Sequence, residues 1–323
     1  MTIGILLGSA WACMALWLDT PGPPEVGRAL SLAFAVASLA AVLARRSAVR
    51  LAWFAAFGAL VAGWLALPAR QDRDWLLDVA RLPRAEISGD RVVLHDVRSF
   101  TYRSETDFDP RWETRSYDLA QITGMDLFMS YWGSPWIAHT ILSFDFADGR
   151  HLAVSIETRK ERGESYSALR GFFRQFELYY VAADERDVVA LRTNQRDERV
   201  LLYRLAAPPA RARAVLLAYL DEMNQLAAKP RWYNALTHNC TTSIRLNALA
   251  AGVAFPRDWR VVANGRLDEL LYEQGALNRD LPLAELRARS DIGDRARDAG
   301  NAADFSERIR AGLPERPARE ETD

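Results

Sequence analysis

The sequence predicts an α+β domain, with an antiparallel sheet and a cysteine-bearing helix, that is preceded by transmembrane helices. Three apolar runs occupy residues 1–69. Short runs rich in β-branched and aromatic residues recur between residues 91 and 203, and Asp148-Gly149 between two of them is a hairpin signal. A helix pattern then begins near Asn239 and carries Cys240. Together these features indicate an anchored mixed domain.

Length and composition limit the possible functions. The chain has 323 residues, half of them hydrophobic, and a net charge of -1. That length suffices for a membrane anchor and one domain with its own core. The nearly neutral charge argues against a nucleic-acid surface, for which a basic domain is expected. The two cysteines, Cys13 in an apolar run and Cys240 far from it, predict neither a disulfide framework nor a zinc site of paired cysteines.

Residues 1–69 are predicted to anchor the chain with about three helices. The apolar runs cover residues 3–18, 30–44 and 51–67, and the last two need their flanks to reach the length of a span. The arginine-rich loop 45–50 is expected to stay cytoplasmic, so the chain after the third run enters the periplasm. The alternative is two spans after a re-entrant or truncated first segment. A cleaved signal peptide is disfavoured because no basic region precedes the first run.

Three regions follow from these patterns: the anchor over residues 1–69, a periplasmic domain over 70–285, and a tail over 286–323. The tail is expected to be flexible because it is charged and poor in large apolar residues. The predicted location is the bacterial inner membrane, with the soluble domain in the periplasm.

Within the soluble domain, strands dominate the first half and helices the second. The predicted strands are 91–97, 100–102, 113–119, 125–131, 137–146, 151–158, 176–181, 188–191 and 200–203. The predicted helices are 164–175, 210–227 after Pro208-Pro209, one that begins near Cys240 and ends before Gly252, and 267–274.

Cys240 is the candidate nucleophile because it lies in the first turn of a predicted helix. Unpaired backbone N–H groups and the positive end of the helix dipole favour a thiolate there. The alternative is a buried, inert cysteine.

His139 is the candidate base among the four histidines. If Asp148-Gly149 forms a two-residue turn, His139 lies opposite Thr158; a one-residue bulge would bring it opposite Glu157. Either side chain could orient the imidazole, as a nucleophile–base–orienter arrangement requires. A core histidine with satisfied hydrogen bonds is the alternative.

Metal and cofactor chemistry is not predicted. A zinc site of His95, His139, His238 and Cys240 is disfavoured because these residues lack compact spacing. The chain contains no GxSxG elbow, no phosphate-binding glycine-rich loop and no HExxH motif. No cofactor is therefore expected.

Several blocks of sequence carry a resemblance to a known family. They are 131–135 with 138–140, 155–164, 191–194, and Tyr233-Asn234 with 239–242. Over roughly residues 70–275, the chain resembles the family defined by the N-terminal periplasmic domain of the Lnb-type bacterial lipoprotein N-acyltransferases. That family is similar to a permuted form of the papain-like, NlpC-type thiol enzymes, in which the histidine strand precedes the cysteine helix.

The resemblance implies a permuted papain-like domain in which a strand-borne His139 faces Cys240 at a helix N-terminus. It also implies acyl transfer on lipids or lipoproteins at the outer face of the inner membrane. The sequence differs from the Lnb-type enzymes in one respect: those continue into a C-terminal membrane region, whereas here the predicted spans precede the domain. The acceptor is therefore left open.

The predicted function is that of a membrane-anchored thiol acyltransferase or acyl hydrolase. Cys240 attacks an ester or amide carbonyl to form a thioester, and His139 transfers the protons. Glu157 orients the imidazole, with Thr158 as the alternative. The Cys240 backbone N–H, with the Asn239 side chain, is expected to stabilise the oxyanion.

Substrate contacts and rival functions complete the prediction. Tyr131, Trp132 and Trp136 are candidates for an apolar acyl groove, with ordinary core aromatics as the alternative. Arg159 and Arg245 are candidates for a phosphate or carboxylate contact, with solvated or ion-paired arginines as the alternative. The expected partners are membrane phospholipid and lipoprotein. Rival functions are an NlpC-type cell-wall amidase or peptidase, which needs a polar open cleft, and a non-catalytic envelope binding module.

Overall fold

The computed structural model describes residues 2–44, 46–237 and 239–317, which fall into two units. The first unit comprises the described residues up to Arg73 together with Gly163–Glu177 and Pro230–Ala235. The second comprises Asp74–Arg162, Leu178–Lys229 and the described residues from Leu236 onward.

The first unit contains three long apolar helices, α1 (Thr2–Asp19), α2 (Pro24–Leu43) and α3 (Ser47–Leu65). Each is long and apolar enough to cross a membrane, which confirms the predicted number of candidate spans. Pro24 begins α2 because a proline at the first helical position lacks only an N–H that would have no partner. Many leucines on these helices are exposed, as expected of side chains that contact lipid.

The segment 163–177 of the first unit differs from its prediction as a helix. Only a 3-10 turn, Arg170–Phe172, forms there. Gln175 instead donates hydrogen bonds to Asp19 Oδ1 at 2.7 Å and to the Leu18 carbonyl at 2.8 Å. The Arg174 guanidinium lies 4.4 Å from the centre of the Trp64 ring. Tertiary contacts of these side chains therefore override the local helix propensity.

The second unit is organised around a sheet whose strand order is β1-β2-β9-β8-β7-β6-β10, with β5 paired to β2. Its strands are β1 (Arg84–Ser88), β2 (Arg91–Arg98), β5 (Trp112–Asp118), β6 (Ile122–Tyr131), β7 (Ala138–Phe146), β8 (His151–Arg159), β9 (Glu177–Ala183) and β10 (Arg199–Arg204). The short strands β3 (Thr101–Tyr102) and β4 (Phe108–Asp109) form a separate pair. The mixed α+β class is confirmed.

The hairpin between β7 and β8 is one residue longer at its turn than predicted. Phe146 N–H donates to the Arg150 carbonyl, and Gly149 takes a φ of 81°, so residues 147–149 form the loop. The register then pairs Ile141 with Ser155. Extended by two residues, it places Glu157 opposite His139. The predicted two-residue turn was therefore wrong. The structure has the alternative register, in which His139 lies opposite Glu157.

The helices of the second unit are α4 (Glu185–Ala190), α5 (Pro209–Ala228), α6 (Cys240–Ala250), α7 (Leu267–Glu273), α8 (Leu283–Ser290), α9 (Gly293–Ala299) and α10 (Phe305–Arg310). A π-helical turn, Leu191–Gln195, follows α4. The predicted strand 188–191 is thus wrong, because a short apolar run fits a buried helix as well as a strand.

The flexible tail predicted from residue 286 is wrong for the residues that the structure describes. Three short helices form there, and Ile292, Phe305 and Ile309 are fully buried in the same core as Phe128 and Ile141 of the sheet. Arginines also point inward and pair with buried acids of the sheet and of α4. Few apolar side chains suffice because each one is buried, while residues 318–323 lie outside the described part.

Candidate active site

Cys240 is the first residue of α6, and the sequence around it explains why the helix starts there. Asn239 is the N-cap: its Oδ1 accepts a hydrogen bond from the Thr242 N–H at 2.8 Å. The Thr242 hydroxyl in turn accepts from the Asn239 N–H at 2.9 Å, which completes a capping box. The thiol is half-buried at the positive end of the helix dipole.

His139 is the second residue of β7 and is buried. Its Nε2 lies 2.7 Å from Ser155 Oγ and 3.1 Å from Glu157 Oε1, and the Ser155 hydroxyl donates to the same carboxylate oxygen at 2.7 Å. Ser155 Oγ and Glu157 Oε1 both act as hydrogen-bond acceptors toward Nε2. Nε2 therefore carries the proton of the neutral ring. Nδ1 is then the basic nitrogen for the thiol.

A chain of ion pairs around the buried Arg192 holds Glu157 in place. Arg192 bridges the Glu157 and Glu198 carboxylates, with an N–O distance of 3.0 Å to each, and the Ser130 hydroxyl donates to Glu198. Arg192 lies in the π-helical turn after α4, a feature that often accompanies functional sites. The 191–194 and 155–164 blocks of the family resemblance contained Arg192 and Ser155, and nothing in the sequence singled out Glu198.

The charges of these side chains act on one another. Burial raises the pKa of Glu157, but the His139 and Arg192 charges outweigh it and hold that pKa well below its usual value. Burial and Arg192 lower the pKa of His139, yet the Glu157 charge and hydrogen bonds to Cys240 and Glu157 give a net increase. Burial raises the pKa of Cys240, whereas hydrogen bonding to His139, its charge and contacts with Thr140 lower it to about 7. A thiolate–imidazolium pair is thus favoured near neutral pH.

The thiol pKa predicts how Cys240 reacts with iodoacetamide. The alkylation rate should rise with pH around a midpoint near 7, because that is where the thiolate forms. In His139→Ala the lowering contacts are lost while burial remains, so the midpoint should move to the value of a free thiol, about 8.5, or above it. Peptide mass spectrometry in a Cys13→Ala background gives the rate for Cys240 alone. An unchanged midpoint in His139→Ala would show that the imidazole does not act on the thiol.

Asn264, which the sequence analysis missed, joins the histidine strand to the cysteine helix. Its Oδ1 accepts from the Ala138 N–H at 2.9 Å, and its Nδ2 donates to the Ala138 carbonyl at 2.6 Å and to Thr241 Oγ1 at 2.5 Å. Nδ2 also lies 3.7 Å from Cys240 Sγ. Because one buried amide holds both neighbours, it sets the distance between base and nucleophile.

Gly265 permits this close approach. A Cβ at this position would lie 2.3 Å from the Pro135 carbonyl oxygen, so a larger residue would push the 131–137 loop away. The Gly265 N–H donates to the Trp136 carbonyl at 2.9 Å, and its own carbonyl accepts from the Tyr131 hydroxyl at 3.0 Å.

Substitution of Asn264 tests this bridging role. Asn264→Ala leaves the buried Ala138 N–H and carbonyl without partners, so the free energy of unfolding should fall by about 1–3 kcal/mol. Asn264→Asp keeps an acceptor for the Ala138 N–H but places a negative charge beside the thiol, so the alkylation midpoint of Cys240 should rise. Urea unfolding and the alkylation profile measure the two effects. A midpoint in Asn264→Asp equal to that of the wild type would contradict the proximity to Sγ.

The structure places the other predicted site residues in different surroundings. Thr158 does not orient His139, because side chains alternate along a strand and Glu157 is the one that faces the ring. Arg159 is buried, donates to the Val79 and Ala80 carbonyls at 2.9 and 2.7 Å, and stacks on Trp75; its predicted substrate contact is wrong. The side-chain oxygen of Asn239 accepts the hydrogen bond that caps α6.

Most of the remaining residues that were predicted to contact substrate line one of two cavities. Tyr131 and Trp136 line a cavity of about 560 Å³ that also contacts Gly265; we call it the aromatic cavity. Trp132 is exposed in the same loop. Arg245 lines a separate cavity of about 450 Å³. His238 lies outside the described residues, and among those that are described no three potential ligands are arranged to hold a metal ion.

A comparison with models of known protein families shows which family this chain resembles. Residues 108–265 match the family model of the Lnb N-terminal periplasmic domain. Residues 108–265 are thus similar to the Lnb N-terminal periplasmic domain. The match includes Cys240, His139, Glu157 and Asn264, so the Lnb resemblance predicted from the sequence is confirmed. Comparisons with curated proteins and with solved structures gave no match.

The Lnb match also bears on the coarse location. The matched family is that of a periplasmic domain, and the helices α1–α3 are long and apolar enough to cross a membrane. Together these findings support a membrane-anchored protein with a periplasmic domain. A permuted papain-like fold stays a prediction.

Proposed function

We propose that this Lnb-domain protein is a thiol acyltransferase or acyl hydrolase that acts on phospholipid or lipoprotein at the inner membrane. The observation that carries the proposal is the pairing of Cys240, at a helix N-terminus, with His139, whose Nε2 is held by Ser155 and Glu157. A nucleophile, a base and a group that orients the base are the components of covalent acyl transfer.

The first half-reaction forms a thioester. His139 Nδ1 takes the thiol proton, and Cys240 Sγ attacks the carbonyl carbon of an ester or amide. The tetrahedral intermediate collapses when the C–O or C–N bond breaks and His139 returns the proton to the leaving group. Glu157, held by Arg192, stabilises the imidazolium during this step.

The oxyanion of that intermediate requires hydrogen-bond donors near Sγ. The Cys240 backbone N–H is one candidate because it lies at a helix start, where N–H groups lack intrahelical partners. Asn239 was the predicted second donor, and its amide lies next to Cys240 even though its carbonyl oxygen is engaged in the cap. Asn264 Nδ2, 3.7 Å from Sγ, is an additional candidate.

The second half-reaction transfers the acyl group. An amine or water attacks the thioester carbonyl, His139 takes a proton from this acceptor, and the Cys240 thiolate leaves. An amine acceptor gives acyl transfer and water gives hydrolysis, so exclusion of water from the thioester decides between the two outcomes.

The aromatic cavity supports an apolar acyl chain as the group transferred. Tyr131 at the end of β6 and Trp136 in the loop before the His139 strand line it, together with Gly265, which follows Asn264. Trp136 contacts Trp259, with ring centres 6.3 Å apart, which extends the aromatic surface. The apolar side chains would contact the acyl chain, while Arg199, Arg266, Glu269 and Arg287 make the rest of the wall charged.

A trapped thioester tests this function. The full-length protein in detergent is mixed with a short-chain diacyl phospholipid, quenched in acid and analysed by intact mass spectrometry. One acyl group should be added at Cys240 in the wild type, none in Cys240→Ser, and less in His139→Ala. Cleavage of peptidoglycan stem peptides without a lipid adduct would favour the amidase. Absence of both reactions, with a large loss of stability in Cys240→Ser, would indicate a binding module.

A further inference from the structure

The cavity of about 450 Å³ beside α6 has a polar and an apolar side. We call it the arginine cavity, after Arg245 on α6 and Arg257 in the following loop. Leu246, Val261 and Val262 form its apolar wall. It is distinct from the aromatic cavity, with which it shares no lining residue.

In the part of the chain that the structure describes, no carboxylate neutralises the two arginines of the arginine cavity. Arg245 contacts the Pro256 carbonyl at 3.4 Å, and within residues 2–44, 46–237 and 239–317 neither Arg245 nor Arg257 forms an ion pair. The acidic side chain in the lining, Asp258, is bound by Arg260 at 2.9 Å. The cavity therefore presents two guanidinium groups and no available carboxylate.

The aromatic cavity provides an internal comparison. Its three lining arginines are each paired: Arg199 with Asp291 at 2.9 Å, Arg266 with Glu269 at 2.8 Å and Arg287 with Asp268 at 2.7 Å. The arginines that line the aromatic cavity are thus each paired with an acid, whereas those that line the arginine cavity are not. An anion is the ligand that this unmatched charge favours.

The apolar wall indicates that the anion belongs to an amphiphile. Leu246 and Val262 are 46% and 53% exposed, although each is a large apolar side chain beside charged groups. Burying them against methylene groups is favourable in proportion to the apolar area removed from water. Inorganic phosphate would leave this wall exposed.

We propose that the arginine cavity binds the headgroup of an anionic phospholipid. The phosphodiester contacts the two guanidinium groups, and the glycerol and first methylene groups cover the apolar wall. A zwitterionic headgroup is less suitable because its ammonium group meets the uncompensated arginines and finds no carboxylate. Thr242, also in the lining, caps the helix that carries Cys240.

Native mass spectrometry of the full-length protein tests the site. The probes are a six-carbon-chain diether phosphatidylglycerol, the matched diether phosphatidylcholine, and inorganic phosphate. Ether lipids have no ester carbonyl, so binding is measured independently of the proposed acyl chemistry, and Cys240→Ser should bind them as the wild type does. The double variant Arg245→Gln/Arg257→Gln removes the site. Arg84→Gln/Arg91→Gln, with exposed arginines on β1 and β2, is the matched control for net charge.

The wild type and the control variant should bind phosphatidylglycerol at least about tenfold more tightly than phosphatidylcholine. The double variant should lose this preference and keep the weaker binding. Equal binding of phosphatidylglycerol by the double variant and the control would overturn the site. Displacement of the lipid by an equal concentration of inorganic phosphate would overturn the assignment to a phospholipid, because phosphate alone would then suffice.

Discussion

Replacing Cys240 by serine, His139 by alanine, or both should abolish turnover to nearly the same extent, by at least about 10⁴-fold. The two side chains act in one step, in which the thiolate exists because the imidazole holds its proton, so the second loss adds little to the first. Release of fatty acid or transfer product from a short-chain phospholipid, followed by mass spectrometry under single-turnover conditions, measures the effect. Multiplicative losses in the double variant would show that the two residues act separately.

Glu157→Gln is the matched variant for this experiment. It keeps a hydrogen-bond acceptor for His139 Nε2 but removes the charge that raises the pKa of the ring. The imidazolium should then lose its proton at a lower pH, and the alkaline limb of the pH–rate profile should move down by the same amount. We expect a loss of about 10–100-fold in rate, smaller than for His139→Ala. An alkaline limb at the wild-type position would exclude an electrostatic role for Glu157.

Arg310→Ala should lower the free energy of unfolding by about 3–5 kcal/mol. The Arg310 side chain is 10% exposed and lies 2.9 Å from Asp126 and 2.6 Å from Glu185, which are both buried. Its removal leaves two buried carboxylates with less compensation. Pulse proteolysis of the full-length protein across a urea series measures the change.

The control for Arg310 is Arg308→Ala on the same helix. Arg308 is half-exposed and pairs with Asp304 at 2.9 Å, so its removal should cost about 0–1 kcal/mol. Equal effects of the two substitutions would mean that α10 does not stabilise the domain through the buried pairs.

Glu185 makes the Arg310 prediction dependent on pH. Burial raises its pKa, but the charge and hydrogen bonds of Arg310 outweigh burial and lower it to about 2. A lowered acid pKa contributes stability above the unfolded-state value, about 4.3, and this contribution disappears as the pH falls through about 2. The difference between the wild type and Arg310→Ala should therefore be largest above pH 5 and shrink in acid.

The sequence by itself determined the features that depend on neighbouring residues. Apolar length alone predicts the three candidate spans, because a helix must be long enough to cross the hydrocarbon core. The position of Cys240 at a helix start was predictable because Asn239 and Thr242 satisfy the first backbone N–H groups locally. The choice of His139 rested on a hairpin, which is also a local structure.

Only the tertiary structure decided which groups surround these residues. One extra residue in the loop 147–149 turns Glu157 toward His139, and a shift of one residue reverses the face of every side chain on a strand. Arg192 and Asn264 reach the site across 35 and 126 residues of chain, a distance over which no local pattern carries information. The inward-facing Arg310 looks in sequence like any solvated arginine, because only folding brings Asp126 and Glu185 to it.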